Sequence, residues 1–209
     1  MSSHTFWIYT LTCLLLVAAP GPDNLLAVAR GLSQGRRAAV VSALASGCGI
    51  LVHVGAATLG LTALLMASMA LFLAVKLVGA AYLLWLGWRA LRSRTLISFR
   101  VVDRLPLRRV FLTGFLSASL NPKVGIFILA FVPQFLSPGA GPAAWQLAGL
   151  GAWFALLTAV GFALMGMCAH SLARWLESRP RLVAGLNIGA GLAFLGAGFS
   201  VLTARARAV

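Results

Sequence analysis

The sequence predicts an all-α integral membrane protein, with six transmembrane helices in an inverted three-plus-three repeat. Three observations carry this prediction. The composition is too apolar for a water-facing surface, six apolar runs have spanning length, and the arginines crowd into alternate gaps between them. The chain is 61% hydrophobic and 10% charged, with a mean hydropathy of +0.97, whereas a soluble domain carries roughly 25% charged residues. A span needs about 20 mostly apolar residues. Such runs cover 6–29, 38–64, 69–91, 110–136, 145–170 and 182–203. The chain reads as one polytopic domain, 1–209, with halves of about 1–95 and 105–209 and an arginine-rich linker, 92–109.

The first run opens after MSSHTFW, which has no Lys or Arg. A cleaved signal wants a positive n-region, so this segment reads as a mature helix. Inside it stands Pro20-Gly21-Pro22-Asp23-Asn24. Two prolines flanking a glycine interrupt a helix, because proline lacks the N–H and restrains the residue before it. The second run carries Ala45 and Gly49 at a four-residue spacing, then His53 one turn on. Small residues at that spacing let helix backbones touch. His53 reads either as an interhelical hydrogen bond or as a proton-transfer group. The third run holds Lys76, about 10 Å from its outer edge at ~1.5 Å per residue. Lys76 either snorkels outward or lines a pathway.

The fourth run is interrupted at Asn121-Pro122-Lys123 and ends near Gln134. The fifth and sixth are Gly/Ala-rich, and Gly185, Gly189, Ala193 and Ala197 predict close packing of the last helix. Trp85, Trp88, Trp145 and Trp175 mark the edges of their spans, where such rings prefer the headgroup level.

Loop charges give the orientation. Arg30, Arg36 and Arg37 follow the first run. Arg89, Arg92, Arg94, Arg100, Arg104, Arg108 and Arg109 lie around the central linker, and Arg174, Arg179 and Arg181 precede the last run. The other side has only Arg205 and Arg207. The positive-inside rule then puts both termini outside the cytoplasm, on the periplasmic face of a bacterial inner membrane. The net charge of +14 is thereby a matter of topology and not of nucleic-acid binding. Cys13, Cys48 and Cys168 lie in apolar runs without a CxxC pair. They read as buried, reduced thiols, and no disulfide, metal or cofactor is expected.

Three spans per half is an odd number, so a duplication inverts the second copy. Interrupted helices in equivalent places of two halves point to a transport site. The first break lies six or more residues from the cytoplasmic end of its span, the second about eleven from the start of its own. Both therefore fall in the inner half of the bilayer or near its midplane at ~1.5 Å per residue. Asp23 is the only acid within a run; Asp103 and Glu177 lie in loops. A carboxylate at the centre of a membrane helix costs about 2.5–3.5 kcal/mol, so it is paired, hydrated or protonated. In one reading Asp23 pairs with Lys123 or caps the helix that resumes at Asn24. In the other it receives a substrate ammonium or a coupling proton. One carboxylate and one ammonium suit a zwitterion, with restarting half-helices offering further N–H groups.

Against these residues the chain resembles a known family. PGPDNLLAVARGLSQGRRAAVVSALASGCGILVHVGAATLGL resembles the first two helices of the LysE/RhtB amino-acid exporters. KLVGAAYLLWLGWRAL resembles their third helix and GFLSASLNPKVGIFILAFVPQF their fourth, so the likeness covers about residues 15–136. The resemblance implies export of amino acids or close derivatives from the bacterial cytoplasm, driven by the proton gradient, without an enzymatic step. The positions it carries over are Pro20, Gly21, Pro22, Asp23, Asn121, Pro122 and Lys123, with His53, Lys76 and Gln134 also matching. The GRR and NPK segments sit nearer the threonine, homoserine and homoserine-lactone branch than the lysine/arginine branch. The expected substrate/ion-binding set is therefore Pro20, Gly21, Pro22, Asp23, Asn24, His53, Lys76, Asn121, Pro122, Lys123 and Gln134, with an amino acid and protons as partners in the lipid bilayer. The rival is an exporter of a cation such as cadmium, which would want more in-membrane acids or thiols. A membrane redox carrier would need a second cysteine in the fourth run, and an intramembrane enzyme a Ser/His, HExxH or Asp-pair arrangement that does not occur.

Overall fold

The computed structural model describes residues 2–19, 21–67, 69–92, 102–137, 139–169, 171 and 180–203, and among these there is no strand. The chain runs through α1 (Ser3–Ala18), α2 (Pro22–Gln34), α3 (Arg36–Ala67), α4 (Met69–Arg92), α5 (Leu107–Ser119), α6 (Pro122–Ile126), α7 (Ala143–Met167) and α8 (Pro180–Thr203). A π-helical turn, Phe127–Phe131, and a 3-10 turn, Val132–Phe135, follow α6. Helix occupies every one of the six predicted runs. Among the described residues, Arg36–Gly60 of α3 and Ala143–Met167 are long and apolar enough to cross a membrane. The pairs α1/α2 and α5/α6 with its extension to Phe135 qualify as broken spans, bent by 57° and 47°. The architecture is that of an integral membrane protein with up to four such spans.

Both bends fall where proline forbids continuation. The irregular stretch after α6 was not anticipated. Pro133 has no N–H for the carbonyl of Leu129, and the backbone meets it by widening: the N–H of Val132 reaches back to the carbonyl of Phe127.

α3 packs between α5 and α7, and α4 pairs with α8. Small residues make the first contact close, as the Ala45/Gly49 spacing predicts. A Cβ on Gly49 would stand 2.7 Å from both the Ala118 Cβ and the Phe115 carbonyl oxygen. The expectation for Gly185 and Gly189 is corrected, since among the described residues a Cβ on either meets nothing within 4 Å. The face of α8 that meets α4 carries Gly191 and Gly198 instead, set against Leu91 and Leu84. The buried stripe of α8 follows its bulky Phe194 and Val201, and that sets which glycines point inward. α1 is tied to α7 by the Tyr9 hydroxyl, which donates to the Leu150 carbonyl at 2.8 Å, and by Trp153 Nε1, which donates to Thr10 Oγ1 at 3.1 Å.

Three further expectations need correction. Cys13 is buried, but Cys48 and Cys168 face outward from the bundle. Arg30 is not a solvated loop charge. It is 5% exposed, and its Nη1 donates to Gln34 Oε1 at 2.9 Å and to the Asp103 carbonyl at 2.7 Å. Gln34 also bonds the Leu105 backbone through both its amide atoms. The end of α2 thereby holds the extended segment that leads into α5. Finally, Asp23 does not cap α2. The helix starts two residues earlier than expected, at Pro22, and Gly21 occupies the cap position. Trp85 and Trp88 do stand exposed near the end of α4, with the Arg89 and Arg92 guanidinium groups over their rings at 5.3 and 4.0 Å.

Two substitutions in α3 test this packing. Gly49→Ala is expected to lower the melting temperature in detergent, because overpacking against backbone costs about 1–3 kcal/mol. Gly55→Ala, whose Cβ meets nothing within 4 Å, is expected to leave it unchanged or slightly raised through helix propensity.

Candidate functional site

The site grows out of the backbone groups that the two breaks release. In an unbroken first span the Val17 carbonyl would accept from the N–H of Gly21, and the Ala18 carbonyl from residue 22, which is proline. The chain turns away instead, and Asn24 gathers the released groups. Its Oδ1 accepts from the Gly21 N–H at 2.9 Å, while its Nδ2 donates to the Ala19 carbonyl at 2.8 Å and to that of Val17 at 3.3 Å. One amide in the first turn of α2 so closes the break from both sides.

The second break is closed differently. The Ala118 carbonyl loses its helical donor because residue 122 is proline. His53 of α3 faces it, with Nε2 3.1 Å from that oxygen. A carbonyl only accepts, so Nε2 carries the proton and the tautomer is set. The ring lies against Gly125, where a Cβ would stand 3.0 Å from His53 Cε1 and Nδ1. Asn121 caps α6, its Oδ1 accepting from the Lys123 N–H at 3.0 Å.

The two breaks meet at Asp23. Its Oδ2 accepts from Asn121 Nδ2 at 2.6 Å, and its Oδ1 from Ser117 Oγ at 2.5 Å. Asp23 is 5% exposed and Asn121 7%. Asp23 also lies in the first turn of α2, where the helix dipole favours negative charge. The donors on its carboxylate are neutral groups of the other half, and Lys123 is not among them. The Lys123 ammonium lies 5.2 Å from the centre of the Phe194 ring, within the range of a cation–π contact. A Cβ on Gly21 would stand 3.5 Å from Lys123 Nζ, so a larger residue there would cover the ammonium.

A cavity of about 30 Å³ opens between the breaks, on the scale of one water molecule. Gly21, Pro22, Asp23, Asn24, Asn121 and Lys123 of the two breaks line it. Residues of α1, α3 and α7 line it as well, with Ser46, Ile50, Phe154, Thr158 and Phe162 among them. The structure therefore brings six of the expected residues to one place. His53 stands behind the cavity, bonded to the second break. Pro122 begins α6 with its side chain exposed. Gln134 lies in the 3-10 turn, where its Nε2 donates to the Ala130 carbonyl at 3.1 Å. Pro20 and the Lys76 side chain lie outside the described residues. Sequence reasoning missed Ser117, although it precedes Asn121 by four residues and so shares its helical face. It also missed the α7 wall, where Phe154, Thr158 and Phe162 repeat at that same spacing.

Comparison with known proteins places these residues in context. The family model of the LysE type translocators matches residues 14–205. An uncharacterized membrane protein of Pseudomonas aeruginosa is 32% identical over 210 residues, 95% of each chain. The homoserine/homoserine lactone efflux protein of Salmonella typhimurium is 29% identical over 98% of this chain and 99% of its own. The threonine efflux protein of the same organism is 27% identical over 96% of this chain and 98% of its own. No solved structure matches.

The tie at Asp23 is testable by a double-mutant cycle. Ser117→Ala and Asp23→Asn are each expected to destabilise the protein in detergent. Their effects should fall short of additivity by about 0.5–3 kcal/mol, the coupling usual for contacting residues in one network. Strict additivity of the two melting shifts would show that the bond contributes nothing.

Proposed function

The chain belongs to the LysE type translocator family, and on that premise we propose that it exports small amino acids or close derivatives, threonine- or homoserine-like, by proton antiport. The observation that carries this reading is the shared cavity. Two interrupted helices, one from each half of the chain, bring a lone carboxylate and a lone ammonium to its wall. A zwitterion needs both signs close together. In this reading Asp23 meets the substrate ammonium, and Lys123 with the N–H groups of the restarting half-helices meets its carboxylate.

Asp23 is also the proposed proton carrier. It binds the substrate ammonium or a proton in turn, which couples the two fluxes without a second acid. A metal cation fits the cavity less well, because the Lys123 ammonium repels it and, among the described residues, one carboxylate lines the wall to hold it. The names of the efflux relatives, homoserine/homoserine lactone and threonine among them, agree with a small substrate whose side chain carries no charge. The wider arrangement proposed with this function is six spans in an inverted repeat within the bacterial inner membrane, with both termini in the periplasm. At about 30 Å³ the cavity is closed around roughly one water, so substrate entry requires the half-helices to move apart.

Counterflow in proteoliposomes with labelled amino acids tests the reading. The wild type is expected to accumulate small neutral amino acids. Asp23→Asn and Lys123→Ala are each expected to weaken uptake by roughly ten- to a hundredfold, the equivalent of a charge-assisted hydrogen bond of about 1.5–3 kcal/mol. Full, pH-dependent export by Asp23→Asn would overturn the role of Asp23. Uptake of no amino acid, with robust uptake of a metal ion, would overturn the substrate class.

A further inference from the structure

The walls that α3 and α7 give to the cavity carry chemistry of their own. Their large members are apolar: Ile50 from α3, and Phe154 and Phe162 from α7, are respectively 1%, 2% and 6% exposed. Among the described residues no charged group stands on this wall. An ionised substrate side chain would enter it without a counter-charge, and an unpaired buried charge is strongly unfavourable. The wall thus rejects basic and acidic side chains.

Two polar atoms interrupt the apolar surface. Ser46 of α3 is fully buried and Thr158 of α7 is 3% exposed, and both line the cavity. Each hydroxyl already donates within its own helix. Ser46 Oγ donates to the Ser42 carbonyl at 3.1 Å, and Thr158 Oγ1 to that of Phe154 at 2.9 Å. A hydroxyl has one proton and two acceptor lone pairs. Among the described residues neither oxygen accepts a hydrogen bond. Both are therefore acceptors whose own protons are committed elsewhere, and they match a donor on the ligand. An uncharged side chain that donates is most simply an alcohol.

We propose that Thr158 and Ser46 are specificity-determining residues, which select an uncharged, hydroxyl-bearing substrate side chain over an aliphatic one of the same shape. The assignment rests on the amino-acid reading of the same cavity and adds the part of the substrate that the charged groups do not see. Lys123 and Asp23 hold the two ends common to all amino acids. The α3/α7 wall reads the side chain: its phenylalanines limit size, and its two oxygens sense the hydroxyl. Thr158 is the stronger member, because it lies between Phe154 and Phe162 on one helical face.

Threonine and valine are nearly isosteric and differ in this hydroxyl, so they form the natural probe pair. The experiment measures counterflow of labelled threonine in proteoliposomes of the full chain, competed by unlabelled threonine or valine. The wild type is expected to prefer threonine by about fivefold or more, the scale of one net hydrogen bond. Thr158→Val should bring the ratio of the two inhibition constants toward one, while Thr158→Ser should restore it. Ser46→Ala provides the second variant and is expected to lower the ratio by a smaller factor. Equal inhibition by the two amino acids in the wild type overturns the proposal. A ratio unchanged in both Thr158→Val and Ser46→Ala, with counterflow intact, overturns it too and leaves the transport reading standing. Absence of amino-acid counterflow in the wild type overturns the transport reading itself.

Discussion

A break in a membrane helix releases carbonyl and N–H groups that lipid cannot solvate, and meeting that demand shapes the centre of this molecule. Each break is closed by side chains that sequence places a few residues away. Asn24 bridges three backbone groups around the first. Asn121 and His53 divide the second, one capping the new helix and the other bonding the Ala118 carbonyl, which proline deprives of its i+4 donor and which the Asn121 N–H also meets at 3.2 Å. Asparagine suits both places because one short amide both accepts and donates. The same demand explains why His53 sits where it does without entering the cavity.

Electrostatics builds on that scaffold. Closing the first break with Asn24 leaves Asp23, its neighbour, free to point elsewhere in the first turn of α2. Closing the second with Asn121 Oδ1 leaves the Nδ2 of the same amide to donate to Asp23. One asparagine therefore caps a helix and holds the carboxylate of the other half. Ser117 adds the second donor. The lone acid of the spans is satisfied by neutral groups, and the lone nearby ammonium keeps its own position beside Phe194 and Gly21. An opposite pair that was already closed on itself would offer less to a zwitterion than two charges presented separately.

Much of this was legible in the sequence, because membrane helices advertise themselves by length and hydropathy, and prolines inside such runs mark interruptions. The two breaks, the lone acid and their common location follow from that reasoning. Rotational detail did not. Gly185 and Gly189 show the right spacing for packing, yet the inward face of α8 is set by Phe194 and Val201, which the spacing of small residues does not register. Arg30 counts as a loop charge in any topology argument, but tertiary contacts with Gln34 and Asp103 bury it. The cap of α2 fell to Gly21 and not to Asp23, because the proline at the first helical position fixes the start of the helix. Ser117 and Thr158 are ordinary helix residues in sequence. Only the placement of their neighbours gives them a role.

The closeness of the cavity constrains how such a site can work. Room for one water does not admit an amino acid, so a loaded state must separate some of the walls. The walls differ in what holds them. α3 meets α7 and α5 through glycines and alanines whose backbones touch; a Cβ on Gly151 would stand 2.5 Å from Val54, and one on Gly114 2.9 Å from the Ser42 carbonyl. Prising those helices apart would open dry voids along their length, at about 24 cal/mol per Å³. The contact between the two half-helices is held otherwise. α6 is five residues long and is fixed by its cap, by His53 against Gly125 and by the bond from Asn121 to Asp23, hydrogen bonds being worth about 1 to 3 kcal/mol net. A substrate that supplies its own ammonium and carboxylate replaces those bonds as it enters. α2 packs on α7 in the same close way, a Cβ on Gly166 standing 2.8 Å from the Ala27 carbonyl, so the easier opening is between the two breaks themselves. The same residues that close the breaks are the ones whose exchange of partners would let the site fill.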